Sequence, residues 1–157
     1  MTALDDSPSA ARRCRQLGPP SDGGILFESC DDSPYKSLDY HRSQSGTKDP
    51  KSVWSKEISR ADECHTFCGA KLNGWRDENG NCWAVAKDEE IDFGTHEERV
   101  AFFWEPRNDG DPWHGFPVAG RKGLAFKQKL PDALIEEWHR SGLISFSRKL
   151  QMLKGRW

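Results

Sequence analysis

The sequence predicts a small α+β fold, and three observations carry that expectation. Residues 82–86 and 99–104 are short apolar runs with the length and aromatic content of buried strands. Residues 75–86 contain the signal of a tight hairpin, and the C-terminal third carries an amphipathic helical stripe. Because strands and helices occupy separate stretches, we expect a small antiparallel sheet packed with helices on both sides in sequence.

A helix is predicted near residues 60–72. Ser59 followed by Asp62 is typical of a capped helix start with an acidic first turn. Asn73-Gly74 is a plausible stop. One helical face carries the apolar residues Cys64, Phe67, Cys68 and Leu72.

The hairpin near residues 75–86 is predicted from Asn79-Gly80, a dipeptide that tolerates the positive φ angles of a type I′ turn. A two-residue loop there would place Trp75 opposite Ala84. The central strand is expected near residues 99–104 and is ended by Pro106. Residues 114–118 follow as a short edge strand, because Pro117 cannot donate to a second neighbour.

Two helices are expected at the C-terminal end of the chain. Pro131 favours the start of the first helix, and Gly142 favours its end. Ser145 can open the second helix, which is expected to stop before Gly155.

Composition divides the chain at residue 52. Residues 1–52 contain long polar runs rich in Pro, Gly, Ser and Asp, and only residues 24–27 look able to pair as a short strand. We therefore expect a flexible or loosely packed N-terminal arm over residues 1–52. A compact α+β domain is expected over residues 53–157.

The chain is 35% hydrophobic and 31% charged, and it has no run near the roughly 18 apolar residues of a membrane span. Its N-terminus carries two aspartates and no hydrophobic segment, so no secretory signal is expected. Five cysteines are an odd number, which argues against a closed disulfide framework. A cytoplasmic protein without membrane contact is the expectation.

Charge is segregated along the sequence. The net charges of residues 1–60, 61–112 and 113–157 are 0, −8 and +6. The acidic and basic stretches either compensate each other in the fold or face a basic partner and phosphate groups, respectively.

The first functional hypothesis is a small binding protein, such as an inhibitor, an immunity-like protein or an accessory factor. Its protein partner would meet the acidic middle of the chain and an exposed tryptophan turn. Seven tryptophans are more than one small core readily hides, and exposed aromatic residues often anchor interfaces. The candidate binding residues are Trp113, Asp88, Glu89, Glu90, Asp92, Arg121 and Lys122.

The second hypothesis is a metal-independent, toxin-like nuclease or phosphodiesterase. Glu105 and His114 would serve as general base and acid, and Arg107 would stabilise charge on phosphate. The competing interpretation makes Glu105 and Arg107 solvated turn residues and packs His114 beside Trp113.

The third hypothesis is a zinc-stabilised or helix-turn-helix-like nucleic-acid binder with a basic C-terminal segment. Zinc prefers thiolate and imidazole ligands, and Cys64 and Cys68 share a helical face. With Cys82 and His96 they supply four candidate ligands. The competing interpretation treats these cysteines as core residues and needs no cofactor.

Overall fold

The structure, a computed structural model, describes residues 14–30, 33–43, 52–120 and 126–157. Within these ranges the chain forms two three-stranded antiparallel sheets and three α-helices, which confirms the predicted α+β class. The elements are β1 (Arg15–Gln16), β2 (Gly24–Glu28), β3 (Pro34–Leu38), α1 (Arg60–Leu72), β4 (Cys82–Val85), β5 (Val100–Trp104), β6 (His114–Val118), α2 (Asp132–Arg140) and α3 (Phe146–Leu153).

The second sheet, β4–β6, has β5 at its centre, as the apolar run of residues 99–104 predicts. Its two faces are both covered. Phe103 packs against Phe67 of α1, with ring centroids 5.5 Å apart. On the opposite face, Phe102 contacts Trp83 and Phe126 at 4.8 and 4.9 Å. Because both faces are buried, this strand is apolar throughout and not alternating.

The hairpin before β4 forms as predicted, but its register differs from the predicted one. Arg76 pairs with Cys82, and Gly80 has φ of 84°. Asp77 explains the difference, because its carboxylate accepts hydrogen bonds from the backbone N–H of Asn79 and from the indole N–H of Trp83. These bonds stabilise a longer loop closed by a glycine bulge, which shifts the pairing by one position.

The first sheet, β1–β3, lies in the segment predicted to be a flexible or loosely packed arm. The described residues of that segment are folded, however, and Tyr35 and Phe27 belong to the core. The hydropathy of the sequence does not indicate this sheet, because every second residue of β3 is partly exposed. Polar contacts complete the packing of the strand. The division of the chain at residue 52 stays a prediction.

Within the described ranges, a parallel bridge between Tyr35 and Trp113 joins the two sheets. The backbone N–H of Lys36 donates to the carbonyl of Trp113 at 2.7 Å, and the N–H of Trp113 donates to the carbonyl of Pro34 at 2.8 Å. The Tyr35 ring stacks on Phe67 next to this bridge. The core is therefore continuous between the two sheets.

A buried carboxylate ties α1 to the first sheet. Glu63 accepts hydrogen bonds from the Tyr35 hydroxyl at 2.9 Å, the Ser37 hydroxyl at 2.7 Å and the Arg42 guanidinium at 3.0 Å. Burial raises the pKa of Glu63 to about 7, although these three partners each act to lower it. The polar contact of β3 with α1 thus centres on one acid, beside the stacking of Tyr35 on Phe67 and a hydrogen bond from Arg60 to the Ser37 carbonyl.

The C-terminal helices are confirmed with their predicted starts. Proline precedes α2, and the Ser145 hydroxyl accepts a hydrogen bond from the backbone N–H of Arg148 at the start of α3. Among the described helices, none combines the length and the apolar character that crossing a bilayer requires.

Candidate functional site

Three buried cysteines converge between α1 and the start of the first sheet. The sulfur atoms of Cys14, Cys64 and Cys68 all lie within 4.8 Å of one another, and those of Cys14 and Cys68 are 3.7 Å apart. Cys64 and Cys68 are one helical turn apart on α1, whereas Cys14 directly precedes β1. This group of sulfurs, called here the sulfur cluster, can hold a metal ion.

The loop after β2 closes over the sulfur cluster. The Ser29 hydroxyl lies 3.1 Å from the Cys68 sulfur, and the backbone N–H of Cys30 donates to the same sulfur at 3.2 Å. Hydrogen bonds with Cys64 and Cys68 lower the pKa of Cys14 to about 5. Hydrogen bonds with Cys14 and Cys68 raise the pKa of Cys64, so the cluster favours a thiolate at Cys14 while Cys64 keeps its proton.

The sulfur cluster only partly matches the predicted zinc ligands. Cys64 and Cys68 come together as their spacing predicts, but the third sulfur belongs to Cys14. Cys82 lies on β4 outside this group, and burial raises the pKa of its thiol to about 11. His96 is exposed and also lies outside the group. The prediction missed Cys14 because its partners are 50 and 54 positions away, beyond any local spacing rule.

The acidic middle of the chain divides into paired and unpaired carboxylates. Asp88 accepts from the Arg148 guanidinium at 2.7 Å, and Asp92 forms an ion pair with Arg99 at 2.5 Å. Glu89 and Glu90 are exposed and form no ion pair with any residue in the described ranges. The fold thus compensates only part of the acidic stretch.

Glu89 and Glu90 border a groove of about 390 Å³. Its walls are the start of α1 on one side and the turn after β4 on the other. The described residues that line it comprise six apolar ones, four acids, Thr66 and one cation, Lys87. They are Ile58, Val85, Ala86, Ile91, Phe93, Leu143, Glu57, Asp62, Glu89, Glu90, Thr66 and Lys87. We call this the acid-rimmed groove.

The prediction of an exposed tryptophan turn is wrong at Trp113, which is only 6% exposed. The parallel bridge to β3 draws this residue inward, where its ring packs against Phe67. Lys71 and Arg76 cover the ring from outside, 5.9 and 5.5 Å from its centroid. The other two candidate binding residues, Arg121 and Lys122, lie outside the described residues.

The predicted catalytic residues do not meet in one cleft. Glu105 lines a polar cleft of about 240 Å³ beside Lys71 and Arg76, which neither Arg107 nor His114 lines. His114 is paired in register with Trp104, one residue before Glu105, so strand alternation directs Glu105 and His114 to opposite faces. Burial lowers the pKa of His114. A paired general acid and base is therefore not formed by these residues in this structure.

The described residues thus define a small α+β protein with a sulfur cluster and an acid-rimmed groove. No protein family, curated protein or solved structure matches this chain.

Proposed function

We propose that this protein is a small binding protein whose acid-rimmed groove takes a basic, amphipathic segment of another protein. The observation that carries the proposal is the groove itself, an apolar floor with carboxylates on both walls. Glu57 and Asp62 stand on the α1 side, and Glu89 and Glu90 stand on the turn after β4. A segment that places lysine or arginine on each side of an apolar residue complements this arrangement.

One apolar residue of the groove is half exposed to solvent. Ile91 is 49% exposed, although Phe93 two residues later is buried in the core. A large side chain held half in water beside unpaired acids gains from being covered. A partner's apolar side chain seated on Ile91 provides that cover.

The turn that carries the acids is held in a strained conformation. The backbone N–H of Glu90 donates to the carbonyl of Lys87, and Glu89 has φ of 73°. Glycine or asparagine normally occupies this third position of such a turn. Backbone strain of this kind is concentrated at functional sites, where it is retained for the placement of a side chain.

The negative rim favours a protein partner over nucleic acid. Phosphate groups would be repelled by four carboxylates, whereas lysine and arginine side chains would be attracted. In addition, two cations of the basic C-terminal segment are already engaged in ion pairs, because Arg148 pairs with Asp88 and Lys149 with Glu136. The proposal includes a cytoplasmic location, supported by the five free cysteines of the chain.

Fluorescence anisotropy with designed peptides tests the proposal. We expect a labelled peptide of alternating lysine and leucine to bind, and peptides with glutamate for lysine or serine for leucine to bind weakly. The double variant Glu89→Gln/Glu90→Gln should weaken binding about three- to tenfold. Ile91→Ser should weaken binding of the same peptide by removing apolar contact.

The matched control is Asp109→Asn/Asp111→Asn, which changes the net charge equally at an exposed turn outside the groove. This variant should bind the lysine–leucine peptide like the wild type. If both double variants weakened peptide binding equally, the effect would come from the net charge of the protein and not from the groove, which would contradict the proposal. Equally tight binding of a simple alkylammonium ion would assign the groove to a small cation and contradict it as well.

A further inference from the structure

We propose that the sulfur cluster is a structural zinc site with four cysteine ligands, Cys14, Cys30, Cys64 and Cys68. This site is separate from the acid-rimmed groove and does not depend on the function proposed for it. Three of the four sulfurs already surround a common point. The fourth cysteine, Cys30, is fully buried and its backbone N–H donates to the Cys68 sulfur at 3.2 Å. Its own sulfur lies outside the group of three in this structure and would have to turn toward the ion to complete the shell.

The spacing of the sulfurs fits a single metal ion. Zinc–sulfur bonds of about 2.3 Å in a tetrahedron place the sulfurs about 3.8 Å apart. The distance of 3.7 Å between Cys14 and Cys68 matches this spacing, and the remaining separations in the group stay below 4.8 Å. A disulfide needs sulfurs about 2.0 Å apart, so none joins Cys14 and Cys68.

The surroundings resemble the outer shell of a thiolate metal site. The backbone N–H of Cys30 and the Ser29 hydroxyl both lie within hydrogen-bond distance of the Cys68 sulfur, where they can support negative charge. The Cys64 thiol donates to the carbonyl of Glu28 at 3.9 Å, a hydrogen bond that is given up when zinc replaces the proton. When zinc binds, each thiol releases its proton to water and a zinc–sulfur bond forms in its place.

The position of the ligands identifies the role of the ion as structural. Two ligands come from α1 and two from the ends of strands in the first sheet, so the ion would connect these elements. All four cysteines are buried and four thiolates fill a tetrahedral shell, which leaves no position for a substrate. Holding the first sheet against α1 is therefore the function of the ion.

Elemental analysis of the full chain tests the site. The protein is produced with a cleavable tag that binds no metal, kept reduced, exposed to excess zinc and dialysed. We expect about one zinc per chain for the wild type and for Cys82→Ser. Cys82 is the matched control, since it is a buried cysteine outside the cluster. Cys14→Ser and Cys30→Ser should each lose most of the zinc.

A second measurement keeps the test decisive if a cysteine variant fails to fold. Cobalt added to the metal-free wild type should give the intense absorption bands of a tetrahedral thiolate complex, and zinc should displace them. Chelation should also increase hydrogen exchange in β1 and β2 more than in β5. Less than about 0.2 zinc per chain after loading, iron in place of zinc, or full zinc retention in Cys14→Ser or Cys30→Ser would overturn the proposal.

Discussion

The two sheets of this protein are held by different kinds of contact. The second sheet, β4–β6, is buried on both faces, and its strands pack through aromatic rings such as Phe102 and Phe103. The first sheet, β1–β3, contributes Phe27 and Tyr35 to the same core, but it is also attached to α1 through polar and sulfur contacts, including those of Glu63 and Cys68. Apolar burial is spread over many atoms, whereas the polar part of the first sheet's attachment depends on a few chemically specific groups.

The largest expected loss of stability comes from removing the buried carboxylate of Glu63. Glu63→Ala removes the partner of Arg42 and leaves the hydroxyls of Tyr35 and Ser37 without an acceptor. We expect the free energy of unfolding to fall by about 3–5 kcal/mol, because the loss of one partner leaves buried polar groups uncompensated. Hydrogen exchange should locate the damage in β3 and the start of α1.

The control for this prediction is Phe102→Leu in the second sheet. This replacement removes part of a fully buried ring and should cost about 1–3 kcal/mol without exposing β3 selectively. Equal protection of β3 and β5 in Glu63→Ala would show that the two sheets do not differ in how they are held.

The second expected effect is a dependence of stability on pH that comes from Glu63, the α1 residue bonded to β3 of the first sheet. Burial raises the pKa of Glu63 to about 7, above the ordinary value of 4.5, so the folded state binds more protons than the unfolded state between these values. The free energy of unfolding should therefore decrease as the pH rises from about 4.5 to 7 and level off above 7. The corresponding range is on the order of 3 kcal/mol.

The variant Glu63→Gln isolates this contribution, because other groups titrate equally in both proteins. The difference in free energy of unfolding between wild type and Glu63→Gln should change across that pH range in chemical denaturation. The charged Arg42 and Arg60 and the hydroxyl of Tyr35 surround the carboxyl group and oppose the shift. A difference that does not vary with pH would contradict the assignment.

The smallest expected effect on stability comes from replacing one glycine in each sheet, at a position where a neighbouring group lies close to the glycine backbone. At Gly115 of β6, an added Cβ would lie 2.4 Å from the Phe102 carbonyl oxygen and 2.2 Å from the Phe103 ring. At Gly24 of β2, it would lie 2.3 Å from the Ser37 carbonyl oxygen. Alanine at either position should destabilise the protein by about 1–3 kcal/mol. We expect Gly115→Ala at the upper end, since the buried ring cannot move away.

Thermal unfolding with hydrogen exchange checks this pair of variants. Gly115→Ala should weaken protection throughout the molecule, and Gly24→Ala should weaken it mainly in β1–β3. A larger loss of stability in Gly24→Ala than in Gly115→Ala would contradict the expectation that the substitution in the second sheet is the more destabilising one.

The sequence predicts the second sheet and the helices well because their signals are local. The run that forms β5 is apolar enough to be recognised alone, and Ser59 and Ser145 mark helix starts that the structure confirms. The hairpin register was wrong because the side chain of Asp77 selects the loop, and a dipeptide rule does not contain that information.

The sites were harder to predict because they are assembled from distant residues. Cys14 joins Cys68 across 54 positions, and Ile58 meets Ile91 in the groove only after α1 packs beside the turn. The burial of Trp113 depends on a backbone bridge to β3 that no residue pattern marks. Charge, by contrast, was informative, since the unpaired Glu89 and Glu90 come from the stretch that the sequence identifies as acidic.

The separation between Cys14 and the cysteines of α1 has a consequence for synthesis on the ribosome. At about 5–20 residues per second, the 54 positions between Cys14 and Cys68 take roughly 3–11 s to translate. During that interval the nascent chain presents Cys14 and Cys30 as reduced thiols without their helical partners. The contacts of the N-terminal sheet with α1 can therefore form only after α1 has left the exit tunnel, although the strands of that sheet pair with one another within residues 15–38.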